Sequence, residues 1–547
     1  MREPQRRWST VTVGIVTGML LAGGGGTSLA FAVEPADLEE RVRVDAVMSH
    51  LEALQEIADE NDGNRAAGTS GYEASGDYVE GVLRDAGYEP VRQNFEAAVQ
   101  TIDDYALAID GITFTDDEDG DGTPGPLGEP MENTPSTPTG GLTDVALVAP
   151  TLPNGCDATE WGDADVAGKI AVVSRGVCSF AQKSIAAGAE GAVAILVYNN
   201  AAGPVSGTLG EQTPGLIPSV GILQTQGQTL LTAMAAGTVT ADLQLQQTQS
   251  IIETFNITAD TPTGDPANTV MLGAHLDSVP EGAGINDNGS GSAAILETAV
   301  QLAASGDLTN RVRFAWWGAE EIGLLGSTHY VEQLTDEQGA EIVTYLNFDM
   351  VASPNYVISV YDADQSTYPA PVDVPEGSIP TEAAFTDYFD AIGQPWIDTA
   401  FDARSDYDAF IAADIPASGL FTGADDVKTA EEAALFGGTV GEIHDPNYHS
   451  PEDDITNVNE EALGIMLGAI AHVTAEFAND VSSIRDEAAP VEPTASPTPI
   501  VADSGPSALA ESGGEPAQGW AAGAATLFGV GALTLIAVRR RESVRAE

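Results

Sequence analysis

Between about Ser250 and Asn479 the chain repeats one pattern, a short apolar strand-like run followed by a helix-forming stretch. "NTVMLGAHLD" reads as a strand, and "GSGSAAILETAVQLAAS" as a helix after a Gly-rich turn. "RVRFAWWGAEE" and "IVTYLNFDM" read as two further strands. Repeated strand–helix alternation predicts an α/β fold, a mainly parallel mixed sheet with helices on both faces. In such sheets, sites form at the carboxyl ends of the strands.

Those ends carry metal-ligand side chains. The first strand ends in His275-Leu276-Asp277, the second in Glu320-Glu321 and the third in Asp349. A Gly-rich loop, "GINDNGSG", carries Asp287, and a late loop, "DPNYHSPEDD", carries Tyr448 and His449. Two imidazoles with three carboxylates suit zinc in mixed nitrogen and oxygen ligation. Five such side chains are too many for one catalytic zinc that keeps an open position. They fit two zinc ions about 3.5–4 Å apart that share a bridging carboxylate. Asp277, two residues beyond His275, can hold the far ring nitrogen and fix the ligating tautomer. Adjacent glutamates at a strand end point in different directions, so one can bind metal while the other serves as a base.

The segments "GAHLDS", "GINDNGSG", "WWGAEEIGLLGS", "LNFDM" and "YHSPEDD", in this order, resemble the M28 family of co-catalytic zinc aminopeptidases. The flanks "NRAAGTSGYEASGDYV" and "ARSDYDAF" extend the resemblance. It implies a zinc exopeptidase fold and an aminopeptidase that hydrolyses N-terminal residues from peptides with a metal-activated water. His275 and Asp349 would bind one zinc, Glu321 and His449 the other, with Asp287 bridging. Glu320 would be the general base, Asp277 would orient His275, and Tyr448 would steady the oxyanion. Arg404 and the stretch Phe421, Thr422, Gly423 and Ala424 would line the substrate pocket. Two positions depart from the family pattern. Asn447 and Glu452 stand where some members have a disulfide, so the Tyr448–His449 loop must be held otherwise. Tyr407 stands where His is common. A carboxypeptidase or dipeptidase of the same fold, and a binding protein without catalysis, are the other readings. Retention of all five ligand positions and of the base separates an enzyme from the latter.

His50, His329, His444 and His472 lack neighbours that complete a site and read as structural. Trp316 and Trp317 read as strand core. Ahead of the catalytic stretch, residues 33–112 form the first part of the peptidase domain, with a helix over Val42–Asp59. Residues 113–248 then alternate short β-rich runs with turns, and residues 249–482 form the main peptidase part. "GKIAVVSRGVCSFAQKSIAAGAEGAVAILVYNN" and "IPSVGI" resemble a protease-associated (PA) domain, a small β-rich module inserted into exopeptidases. The resemblance rests on residues such as Gly168, Lys169, Arg175, Gly176, Lys183, Gly188, Asn199 and Asn200, and it leaves substrate access or a passive lid as the module's role. Lys169 and Lys183 read as structural within it. Asp117, Asp119, Asp121 and Gly122 match the start of a calcium loop, but its twelfth position is Gly128 rather than Glu. A solvated acidic loop is the preferred reading there, and Ca2+ the weaker one.

The ends of the chain set the compartment. Arg2, Arg6 and Arg7, an apolar run from Val11 to Ala22 and Ala30-Phe31-Ala32 follow the order of a signal peptide over residues 1–32. Residues 483–518, rich in Pro, Ala, Ser and Glu, read as an extended spacer. Residues 519–538 are uncharged and long enough to cross a bilayer. Residues 539–547, opening with Arg539, Arg540 and Arg541, read as a basic cytoplasmic tail. Before the span, Leu509-Ala510-Glu511-Ser512-Gly513 resembles an LAxTG-type signal by which a sortase joins proteins to the cell wall, with Ser512 where Thr is usual. A plain membrane anchor is the other reading. With export expected, Cys156 and Cys178, the two cysteines of the chain, are expected as a disulfide. Eighty-three acidic against 20 basic residues give a net charge of -63, which excludes nucleic acid as a plausible partner.

Overall fold

The computed structural model describes residues 33–112, 127–200, 205, 207–210, 213–370 and 372–487. The expected signal peptide, the Asp117–Asp121 loop, the sorting-like motif, the membrane segment and the basic tail lie outside these residues. So does the expected spacer, except for its first residues. Residues 483–487 belong to the short helix Ser482–Glu487 instead. Ile484 is buried, and Arg485 donates to the carbonyls of Ala267 and Ala340, so this turn packs as part of the domain.

Among the described residues thirteen strands join in one sheet. In chain order they begin with β1 (Val91–Ile109), β2 (Glu129–Pro130), β3 (Leu142–Val148), β4 (Ile170–Ser174), β5 (Ala194–Tyr198) and β6 (Ser219–Ile222). They continue with β7 (Thr240–Asp260), β8 (Asp265–His275), β9 (Asn310–Trp317), β10 (Ile342–Phe348), β11 (Ser359–Tyr361), β12 (Ile397–Thr399) and β13 (Ala417–Phe421). The order is β12-β11-β13-β10-β8-β9-β7-β3-β4-β5-β6-β2, with β1 against β7. β13, β10, β8 and β9 are parallel neighbours. β9 pairs antiparallel with β7, and β11 with β13. The sheet is therefore mixed, and parallel at its centre.

Strand alternation sends neighbouring residues to opposite faces. Val270, Leu272 and Ala274 of β8 enter one apolar layer with Ile295 and Leu296 of the helix Gly291–Ala303. Met271 enters the opposite layer with Tyr345 and Phe410. Trp316 and Trp317 divide in the same way, and both are fully buried core. Complete burial of side chains this size contributes about 1.5–3 kcal/mol each, which anchors the strand whose end leads to Glu320. The helix Val44–Glu60 buries Val47, Leu51, Leu54 and Ala58, a stripe at helical spacing, against the same core. The helix Glu460–Asn479 is long and apolar enough to cross a membrane, but it is mostly buried in this core.

The segment from β2 to β6 is itself α/β. β3, β4, β5 and β6 are parallel, with the helices Phe180–Ala189 and Gln224–Ala236 between strands. Cys156 and Cys178 form a disulfide. Beside it the buried Lys183 ammonium donates to the carbonyls of Asn154 (2.9 Å) and Gly176 (2.7 Å), a structural role. β7 is long because it pairs with β1 along almost its whole length and then continues to β9. One strand thus belongs to both the inserted segment and the catalytic sheet.

Candidate metal centre

β8 ends at His275, and Asp349 directly follows β10. The parallel ladder sets Asn347 beside Gly273, so the two ends emerge together. Asp287 lies in the irregular turn Ile285–Ser290, whose backbone departs from helical angles at Asp287 and Asn288. Two side chains tie this turn down. Asn288 donates to Phe348 O and accepts from the amides of Gly291 and Met350. Asp453 accepts the amides of Asn286 (2.9 Å) and Asp287 (3.0 Å).

His275 Nε2 is 3.1 Å from Asp287 Oδ1 and 3.2 Å from Asp349 Oδ1. His449 Nε2 is 3.2 Å from Asp287 Oδ2 and 3.1 Å from Glu321 Oε2. The two oxygens of Asp287 therefore serve two separate triads, each with its ligand atoms within 4.8 Å of one another. Atoms bound to a tetrahedral zinc at about 2.0 Å stand about 3.3 Å apart, so the donor set fits zinc in both geometry and chemistry. Glu321 Oε1 is buried with no hydrogen-bond partner, an acceptor that a cation would satisfy. Glu320 Oε2 sits 3.9 Å from His275 Nε2, outside both triads.

The electrostatics favour positive charge here. Burial works against an imidazolium at His449, yet Glu321 and Asp287 outweigh it and push the ring up to about 11. His275 is likewise raised despite burial, by Asp349 and Glu320. Burial, with Asp287 adding to it, pushes Glu321 up to about 7, and burial holds Glu320 well above the ordinary carboxylate range. Beneath the centre lies Arg65, fully buried. Its guanidinium donates to the carbonyls of Leu276, Ala283 and Gly284, and burial brings its pKa down to about 10 against the pull of Asp277 and Asp453.

Asp277 differs from the expectation in detail. Its carbonyl, not its carboxylate, is the nearer partner of His275 Nδ1, at 3.1 Å against 3.8 Å. The carboxylate accepts the amides of Glu320 (3.2 Å) and Glu321 (3.4 Å) and so orients both glutamates. β8 has ended by residue 277, and the departing chain turns the carbonyl toward the ring.

A cleft of about 820 Å³ opens above the centre. Met350, Val357, Tyr361 and Phe421 form its apolar wall, and Gly423, Ala424, Arg404 and Tyr448 also face it. A Cβ at Gly423, where φ is +92°, would stand 2.4 Å from the His444 ring, so this wall requires glycine. His444 thus belongs to the cleft wall. His50, His472 and His329 pack elsewhere, against Tyr78, Glu39 and Phe95 respectively. The Tyr448 ring stacks on His449 at 3.8 Å, and burial beside Asp287 keeps its phenol protonated at neutral pH. Arg404 pairs with Asp425 at 2.8 Å.

The two departures from the family pattern have structural answers. Tyr407 donates its hydroxyl proton to Asp402 and accepts the amides of Asp402, Ala403 and Arg404, fixing the loop that carries Arg404. The Tyr448–His449 loop is held by amides and carboxylates. Asn447 donates to Asn457 at 2.9 Å, and Asn457 donates to Asp445 and Asp453. Sequence reasoning missed Arg65, Asp453 and Ser405. Ser405 donates to Asp349 Oδ2 at 2.6 Å and accepts from Asn347. Arg65 and Ser405 lie in the flanking motifs, but nothing in their residue type announces a role.

A mixed sheet with two imidazole–carboxylate triads, gathered from its strand ends and the adjoining loops, fits a metallopeptidase architecture. Residues 256–474 match the sequence model of Peptidase family M28, and residues 143–230 that of the PA domain. The chain belongs to peptidase family M28 and carries an inserted PA domain. It is 43% identical over 483 residues to the probable lipoprotein aminopeptidase LpqL of Mycobacterium tuberculosis, covering 87% of this chain and 91% of that protein. It is 40% identical to the probable leucine aminopeptidase 2 of Aspergillus fumigatus, covering 85% and 90%. Among solved structures, an aminopeptidase from Aneurinibacillus sp. strain AM-1 superposes with a TM-score of 0.62 at 24% identity, over 81% of this chain and 96% of that one. BSAP, a zinc aminopeptidase from Bacillus subtilis, does so with a TM-score of 0.54 at 24% identity, over 80% and 95%. At those identities the likeness speaks for the fold.

Proposed function

We propose that this protein is an exported di-zinc aminopeptidase that removes N-terminal residues from peptides. The observation that carries this reading is the sharing of Asp287 between two triads, with Glu320 left outside them. His275 and Asp349 would hold one zinc, Glu321 and His449 the other, with Asp287 between. Bound there, the ions supply Lewis acidity and lower the pKa of water. Glu320 takes a proton from the attacking water and returns it to the leaving nitrogen as the peptide C–N bond breaks. A positioned base of this kind contributes about 10²–10⁴-fold. The Tyr448 hydroxyl donates to the carbonyl oxygen as negative charge develops on it. The apolar wall at Phe421 and Tyr361 takes the side chain of the N-terminal residue, and Arg404 lines the approach. Aminopeptidase activity in this chain is supported by the two relatives named as aminopeptidases. Export with membrane association is supported by the relative named as a lipoprotein, and attachment by a sortase rests on Leu509–Gly513 alone.

The test is a matched peptide series with free and acetylated N-termini. Free peptides should lose their first residue, and acetylated ones should stay intact. A chelator should abolish turnover, and zinc should restore it at about two ions per chain. Release of C-terminal residues, or full activity after exhaustive metal removal, would refute the reading.

A further inference from the structure

Glu132 follows β2, which pairs with β6 of the PA-matched segment, and precedes the first expected ligand by more than a hundred residues, yet it lines the same cleft as Glu320, Glu321 and His449. Its backbone is pinned on both sides. The Glu132 amide donates to Gly207 O at 3.0 Å, and its carbonyl accepts from the Leu209 amide at 3.0 Å, an arrangement that bridges it to Thr208. The buried Met131 before it donates its amide to Ser219 O at 3.0 Å. The Asn133 amide after it donates to the Gln100 side chain of β1. The carboxylate is therefore presented from fixed backbone, and the Thr208 hydroxyl bonds to it.

No lysine lines this cleft among the described residues, and its one arginine, Arg404, is already paired with Asp425. Among the described residues no lysine or free arginine of this cleft is left to pair with the Glu132 carboxylate. A peptide entering the cleft brings a cation, either its α-ammonium or the charged side chain of a Lys or Arg residue.

We propose that Glu132 is a specificity-determining residue that receives a cationic group of the bound peptide, so that the inserted domain takes part in selecting substrate. The proposal rests on the aminopeptidase reading above. The test uses the full-length zinc-loaded enzyme and its Glu132→Gln and Glu132→Asp variants on the tripeptides Leu-Ala-Ala, Leu-Lys-Ala and Leu-Glu-Ala. Glu132→Gln should lower kcat/KM about tenfold, chiefly through KM, as expected for loss of one charge-assisted contact. A fall shared by all three peptides identifies the α-ammonium as the cation, and a fall confined to Leu-Lys-Ala identifies the side chain. Glu132→Asp, which keeps the charge, should recover part of the loss. Zinc content and melting temperature should match wild type. If the Gln variant melts early, Thr208→Val, which removes the hydroxyl held against the carboxylate, reads the same preferences. All three peptides within twofold of wild type in the Gln variant would overturn the proposal. A wild-type enzyme inactive on all three would overturn the aminopeptidase reading itself, and the proposal with it.

Discussion

Arg65 is the strongest single test of how the site is supported. Replacing it with Met keeps the volume of the side chain and removes every donor. Two buried carbonyls, of Leu276 and Ala283, would lose their partner, while that of Gly284 keeps the Gly289 amide at 3.0 Å. An unsatisfied buried acceptor costs about 2 kcal/mol, which puts the loss at about 4 kcal/mol. Against this, the variant no longer buries a guanidinium. The fall of the Arg65 pKa from 12.5 to about 10 values that burial at about 3 kcal/mol. The net expectation is a destabilisation of about 1 kcal/mol. Arg65→Lys should recover only part of it, because an ammonium cannot present the planar fork that reaches three divergent carbonyls. The turn after Gly284 carries Asp287, so Arg65→Met should also bind zinc more weakly. Urea unfolding of the full-length zinc-loaded protein, followed by tryptophan fluorescence, gives the stability, and chelator competition gives the zinc affinity. Arg65→Met as stable as wild type or more so, with unchanged zinc affinity, would refute the reasoning.

Four shorter predictions accompany it. Glu320→Gln should keep zinc and substrate affinity while turnover falls about 10²–10⁴-fold, whereas Glu321→Gln should lose metal from one site. The reverse metal contents would mean that the two roles are swapped. Ser405→Ala removes a 2.6 Å bond to Asp349 and should weaken zinc about 10–100-fold at the His275–Asp349 site alone, read by chelator competition, with unchanged affinity as the contrary result. Burial pushes Glu382, which accepts the amides of Ala363 and Asp364, up from 4.5 to about 7, so the native state holds a proton that the unfolded chain has lost. Stability from this group is therefore lost as pH rises from about 4.5 to 7, and Glu382→Gln should melt higher than wild type at pH 8 and equally near pH 4. Deleting the residues after Ala508 should release active enzyme into the medium, and identical fractionation of the truncated and full-length proteins would refute the anchor.

The strands and the residue types at their ends were legible because both are local. A run such as "NTVMLGAHLD" is apolar on both faces of a buried parallel strand, and the chain must leave that strand next to His275. The supports of the site were not legible, because each acts between elements distant in sequence. Arg65 reaches carbonyls more than 200 positions away, and Ser405 reaches Asp349 across 56. Residue type alone does not distinguish a serine that bonds a buried carboxylate from one that faces solvent. The same limit applies to Asp277, whose carbonyl rather than carboxylate approaches His275, since backbone direction after a strand is decided by packing. By itself the sequence determined the fold class, and it set out the candidate ligand types and their order along the chain, all properties of periodicity and composition. Only the tertiary structure decided that Asp287 divides its two oxygens between two triads and that the distant Glu132 lines the same cleft. Both depend on where long-range strand pairing and turn geometry bring side chains together, and that is a property of the folded sheet rather than of any segment of it.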